Sequence, residues 1–244
     1  MPETATQRVH FVHVMKTGGT SLVTLAHERL GDQACWPPAD GTGDGVYGAG
    51  IYGDANQLRD LTPEQWKPLR FISGHHPFAA TKISQADLTL TVLRDPVDRT
   101  ISQLRQRRRL DPTVADASLD EIYDDVWKRA MFLSDYQVRQ FAKTPEDDLF
   151  HLSGLVIDDA AMAVAKQHLT EVHVLGLFDR YDEFAAQAAV ACGWEPTPFP
   201  RRWTSPDGDV GSHELRARIV EDNPADVAFY EWAVRHHSRR HAGW

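Results

Sequence analysis

Lys16-Thr17-Gly18-Gly19-Thr20-Ser21 places two glycines and three hydroxyl residues directly behind a lysine. Glycines let a backbone approach an anion closely, successive amides of such a turn form a positively polarised cradle, and a helix that starts there adds its dipole. The chemistry this suits is phosphate binding. The alternative is an ordinary strand-to-helix turn, with glycines for shape and a surface lysine. In the usual ATP/GTP loop the lysine follows the glycines and sits just before Ser or Thr; here Lys16 leads the turn.

A second segment, Arg94-Asp95-Pro96-Val97-Asp98-Arg99-Thr100-Ile101-Ser102, follows an apolar run. Arg94 is expected at the carboxyl end of a strand, where ligands bind in open α/β sheets. Arg99 and Ser102 are three residues apart on one helical face, a spacing at which arginine and hydroxyl can clamp one phosphate. For Arg99 the preferred reading is a solvent-facing side chain paired to Asp98 or Asp95. Between the two segments stands Ser73-Gly74-His75-His76-Pro77-Phe78. Histidine titrates near neutrality and so suits proton transfer; a turn or packing role is the alternative for this pair.

The elements that must position these residues follow from periodicity. Val9 to Met15 is apolar and β-branched, as a buried strand requires, and Thr20 to Leu30 has helical spacing through Leu22, Leu25, Ala26 and Leu30. Glycine, proline and aspartate from Cys35 to Gly53 predict a long irregular loop, with a short strand around Val46 to Tyr52. Strands are expected at Leu69 to Ser73, Leu88 to Leu93 and Val172 to Phe178. Asp95 can cap a helix from Pro96 to Arg109, with Pro96 at its first position and Asp98 in its first turn. Further helices are expected within Ser118 to Phe141, at Asp158 to Leu169, Tyr181 to Cys192, Ser212 to Glu221 and Pro224 to His241, with a loop from Pro196 to Gly211. Strands alternating with helices predict an α/β fold with a central parallel sheet flanked by helices.

At 244 residues and 42% hydrophobic content the chain suits a single domain spanning 1–244. A net charge of −9 disfavours nucleic acid and anionic membranes as partners, so any anion site is local. Cys35 and Cys192 form no metal or disulfide pattern, and no apolar run is long enough to span a bilayer. The expectation is a cytoplasmic protein without a metal. Arg105 shares a face with Ser102 and is a candidate to help hold a nucleotide; Arg107, Arg108 and Arg109 are expected to complement the helix end or face solvent. Arg201-Arg202-Trp203 is a candidate to fold over a ligand, and the tail from His236 to His241 is expected to be a solvated helix end.

Taken together and in this order, the two segments resemble the PAPS-dependent sulfotransferases, closest to the branch with the heparan sulfate and uronyl 2-O-sulfotransferases. The resemblance covers Val9 to Arg109, and Val172 to Phe178 with Tyr181-Asp182-Glu183-Phe184 is similar to the family's later strand-helix unit. It implies a P-loop-like sulfotransferase fold, with 3′-phosphoadenosine 5′-phosphosulfate (PAPS) as co-substrate and a hydroxyl-bearing acceptor as partner. It implies that Lys16 contacts the leaving phosphate and the transferring group, that the amides of Thr17, Gly18, Gly19, Thr20 and Ser21 hold the 5′-phosphate, and that Arg94 and Ser102 bind the 3′-phosphate. His75 matches the family's general base, with His76 as the fallback. Where some relatives carry another histidine two positions earlier, this chain has Ser73. The rival readings are a magnesium-dependent nucleotide kinase and a non-catalytic nucleotide-binding protein.

Overall fold

Apolar runs buried on both faces pair as five parallel strands: β1 (Val9–Val12), β2 (Cys35–Trp36), β3 (Phe71–Gly74), β4 (Leu88–Leu93) and β5 (Val174–Leu177), in the spatial order β2-β3-β1-β4-β5. The computed structural model describes residues 7–38, 54–150, 154–195 and 208–241. Every residue of β1, β3, β4 and β5 is buried, the polar His10, Ser73, Thr89 and Thr91 included, as in a sheet covered on both faces. Val9 of β1 sits opposite Phe71 of β3 on one side and Leu88 of β4 on the other. The connection from β1 leads to one side of the sheet, and the connection from β3 crosses β1 to reach β4. The carboxyl ends of β3, β1 and β4 are therefore neighbours, at the place where the strand order reverses and α/β sheets bind ligands.

Parallel pairing demands long crossovers, and helices supply them. Helix α1 (Thr20–Leu30) follows β1 with the bounds its periodicity predicts. Short helices α2 (Pro63–Trp66) and α3 (Thr81–Ser84) precede β3 and β4, and α4 (Pro96–Leu110) follows β4. As its sequence predicts, Asp95 caps α4 by accepting from the Asp98 amide at 3.0 Å, and Pro96 occupies the first turn. The stretch read as helical from Ser118 to Phe141 is three helices: α5 (Leu119–Tyr123), α6 (Val126–Phe132) and α7 (Tyr136–Ala142). The breaks have local causes. Ser118 and Glu121 form a capping box on α5, Asp125 caps α6, and Asp135 takes a left-handed turn with φ 45° before α7. The remaining helices are α8 (Asp159–Thr170), α9 (Tyr181–Ala191), α10 (His213–Asp222) and α11 (Pro224–His241).

The sheet divides two apolar clusters. Phe11, Leu22, Leu90 and Phe184 lie in one with α1 and α9; Val12, Phe78, Phe141, Leu169 and Phe229 lie in the other with α7, α8 and α11. A third cluster joins α4 to α5 and α10 through Ile101, Leu104, Ile122 and Leu215.

Three expectations change. The loop expected from Cys35 begins with the edge strand β2, paired to Phe71 and Ile72; the strand expected at 46–52 lies outside the described residues. Strands β1 and β5 are shorter than their apolar runs: the ladders span Val9–Val12 and Val174–Leu177, and Phe178 opens a tight turn. In the tail, His237 is buried rather than solvated, and His236 stacks on Trp232 with centroids 5.0 Å apart. Among the described residues no helix is long and apolar enough to cross a membrane.

Candidate functional site

The turn after β1 is held open by two different requirements on its glycines. Gly18 has φ 87°, and a Cβ there would stand 3.1 Å from the rings of Phe178 and Tyr181. Gly19 has an ordinary φ but no room: a Cβ would lie 2.4 Å from the His13 ring and 2.6 Å from Phe11. Lys16 has φ 69°, a left-handed conformation that costs a non-glycine residue roughly 1–3 kcal/mol and concentrates at functional sites. The turn is stapled by the buried Thr17 hydroxyl, which donates to the Val14 carbonyl at 2.8 Å, and by the Tyr181 hydroxyl, which donates to the Gly18 carbonyl at 3.0 Å. Val23 is the first amide to close the helix, donating to the Gly19 carbonyl at 3.0 Å. The amides of Thr20, Ser21 and Leu22 are thus the N-terminal donors that a helix offers to other partners.

Arg94, at the carboxyl end of β4, meets this turn directly. Its Nη1 donates to the Lys16 carbonyl at 3.1 Å, and its guanidinium lies 4.2 Å from the centroid of the Phe178 ring. The backbone at Arg94 is clamped by buried Gln137, which accepts from the Arg94 amide at 3.0 Å and donates to its carbonyl at 2.7 Å. Arg94 Nε is buried and has no hydrogen-bond partner among the described residues. Burial pulls the arginine below its usual range, with Asp98 opposing and Arg105 reinforcing.

The Lys16 amine reaches α4, where Nζ donates to Gln106 Oε1 at 3.0 Å. Ser102 is half-buried and lies one turn before Gln106 on that helix. Burial pushes Lys16 down to about 8, and Arg109, Arg94, Arg99 and Arg105 add to the shift in that order. A lysine surrounded by cations, at a helix start, marks a strongly anion-seeking point in a chain of net charge −9.

Arg99 corrects the sequence reading. It is wholly buried and faces no solvent; Nη2 donates to the carbonyls of Phe132 and Leu133 at 3.0 and 3.3 Å, and the guanidinium packs 4.8 Å from the Tyr136 ring centroid. Asp98 pairs instead with Arg216 at 2.9 Å, and Asp95 serves as the cap. Arg99 therefore ties the end of α6 to α4. Arg107 and Arg108 also tie elements together, pairing with Asp125 at 2.9 Å and Asp209 at 3.1 Å, while Arg105 and Arg109 act on Lys16.

His75 stands just past β3, half-buried, and its Nδ1 lies 2.7 Å from the His13 carbonyl. A carbonyl only accepts, so Nδ1 is the donor, and in the neutral imidazole it is then Nε2 that offers the lone pair a general base requires. The His13 ring lies 4.7 Å from that of His75 and stacks on Phe11 at 5.1 Å, so one buried ring connects His75 to Gly19. Burial, followed by Lys16, pulls His13 down to about 3, leaving it neutral. His76 is fully enclosed, with its ring 5.7 Å from His10 in an edge-on contact; of the two histidines, His75 is the one an external hydroxyl can reach.

Lys16, Thr17 to Ser21 and Arg94 are brought together by direct contacts, Ser102 lies on the α4 face that receives Lys16, and His75 joins through His13. Sequence reasoning missed Gln106, Gln137, His13 and the packing role of Phe178. The available signals were slight: Gln106 falls one helical turn after Ser102, and Phe178 precedes the Tyr181 segment. Arg201-Arg202-Trp203 lies outside the described residues. The arrangement suits a multiply charged anion held by the α1 amides, Lys16 and Arg94, beside an imidazole able to accept a proton. Comparison with known protein-family models and with curated proteins finds no match to this chain.

Proposed function

We propose that this chain is a PAPS-dependent O-sulfotransferase with a P-loop-like sulfotransferase fold, acting in the cytoplasm on a hydroxyl-bearing glycan, glycolipid or small metabolite. The single observation that carries the reading is the contact between its two anion-binding segments, Arg94 Nη1 to the Lys16 carbonyl at 3.1 Å. A PAPS-like nucleotide carries anionic groups at both its 5′ and 3′ positions, and two cation-bearing segments that meet at the carboxyl ends of β1 and β4 support the reading.

In this reading the α1 amides and Lys16 hold the 5′-phosphosulfate, while Arg94 and Ser102 hold the 3′-phosphate. His75 Nε2 accepts the proton of the acceptor hydroxyl as its oxygen forms a bond to sulfur. The bond from sulfur to the bridging oxygen breaks, and its electron pair stays on the departing 5′-phosphate. Lys16 and the amides stabilise that charge. The products are a sulfate ester and 3′-phosphoadenosine 5′-phosphate. As in phosphoryl transfer, positioning and electrostatics supply most of the acceleration, and the scheme calls for no metal.

Calorimetric titration with 3′-phosphoadenosine 5′-phosphate and, separately, with ADP and magnesium tests the reading. The expected outcome is clear preference for the 3′-phosphorylated nucleotide, lost at least tenfold in Arg94→Ala, where a charge-assisted contact is removed. His75→Ala is expected to keep that affinity and lose sulfuryl transfer by roughly 100-fold or more. Equal binding of both nucleotides, or binding of ADP alone, would remove the sulfotransferase reading in favour of the kinase.

A further inference from the structure

We propose that Gln106 is a positioning residue that fixes the direction of the Lys16 amine through a neutral acceptor, leaving its positive charge for the ligand. The proposal rests on reading the turn as an anion site. Lys16 leads the turn with its backbone in a left-handed conformation, and its side chain crosses to α4, where Nζ finds Gln106 Oε1 at 3.0 Å. The charged and titratable groups acting on the amine come from three places: His13 just after β1, Arg94 just after β4, and Arg99, Arg105 and Arg109 of α4. All the arginines are cations, and His13 is buried and neutral.

The choice of glutamine has a physical reason in that setting. A glutamate at 106 would neutralise the amine and lock it in an ion pair that an incoming phosphate would have to break. An aliphatic residue would leave one donor of a largely desolvated ammonium unsatisfied. The amide oxygen satisfies one donor, fixes the direction of Nζ, and leaves both the charge and the other donors for an anion. Gln106 lies on the same α4 face as Ser102, one turn further along, so the residue that steadies Lys16 is carried by the element that would bind the far phosphate.

The test uses the full chain with 13C-labelled lysine, following the Cε resonance of Lys16 against pH in wild type, Gln106→Leu and Gln106→Glu, with Lys16→Arg assigning the resonance and thermal unfolding checking the fold of each variant. The two substitutions are expected to move the midpoint in opposite directions. Leucine removes a bond that favours the charged form and lowers it; glutamate supplies an opposite charge and raises it by about one pH unit or more. A merely structural role predicts no such opposition. Gln106→Glu is also expected to weaken 3′-phosphoadenosine 5′-phosphate roughly tenfold at neutral pH, because the added carboxylate repels the ligand's phosphates. Midpoints unchanged in both variants, or displaced in the same direction, would overturn the role given to Gln106. Absence of nucleotide binding by the wild type would overturn the donor-site reading, which separates the two failures.

Discussion

The Lys16 amine is held near 8 by burial first and then by Arg109, Arg94, Arg99 and Arg105, against an ordinary value of 10.5. Two consequences of opposite sign follow. Between about 8 and 10.5 the unfolded chain binds a proton at this residue that the folded chain has released, so stability from this group rises with pH across that window. Anion affinity runs the other way, because the ligand needs the charged amine. Binding of 3′-phosphoadenosine 5′-phosphate is expected to weaken progressively from pH 7 to 9, and at pH 8 to be accompanied by proton uptake as the bound anion raises the lysine's proton affinity. Calorimetry in buffers of different ionisation enthalpy measures that uptake; a flat affinity across this range would contradict it. At the same scale, the His75 tautomer is set by a backbone carbonyl, that of His13, so no side-chain replacement at His13 removes the acceptor that orients it.

At the scale of elements, the site depends on how closely the β1–α1 turn packs on its neighbours. Gly19 is fitted against His13 and Phe11, rings anchored in the sheet rather than flexible chain ends. Gly19→Ala is expected to destabilise the fold by about 1–3 kcal/mol, the usual cost of overpacking, and to lower the thermal midpoint. It should also weaken nucleotide binding, since the cradle amides must shift with the turn. An unfolding midpoint equal to that of wild type would show that the turn has more room than its geometry indicates. The glycine pair was visible in sequence, but its second requirement was not: φ belongs to the residue, whereas contact with His13 and Phe11 belongs to the packing of β1 against α1.

Across the whole molecule, the last helix reaches back to support the site. Asp226 of α11 is buried and accepts from the amides of Gln137 and Val138 at 3.1 and 2.7 Å, capping α7 from a distance of nearly ninety residues. Gln137 in turn clamps the Arg94 backbone. Asp226 is also the leading favourable charge acting on buried Arg99. Asp226→Ala is therefore expected to cost on the order of 3 kcal/mol, since it strips two buried amides and leaves a buried guanidinium less compensated. It should lower nucleotide affinity as well, although the residue touches no ligand. Denaturant unfolding with a parallel nucleotide titration checks both effects; loss of stability with full affinity would show that α11 supports the fold but not the Arg94 site.

What the chain's order of residues determined alone is local: the strand runs, the Thr20–Leu30 helix, the Asp95-Pro96 start of α4, and the two segments whose residue types suit an anion. These follow from backbone preference, capping and periodicity, which act over a few residues. Only the tertiary structure decided which ends of which strands stand together, that Arg99 is interior while Arg94 reaches Lys16, and that Gln106 receives the lysine. Those outcomes come from contacts between residues tens of positions apart, where burial and the partners that packing supplies, rather than residue type, determine what a charged side chain meets.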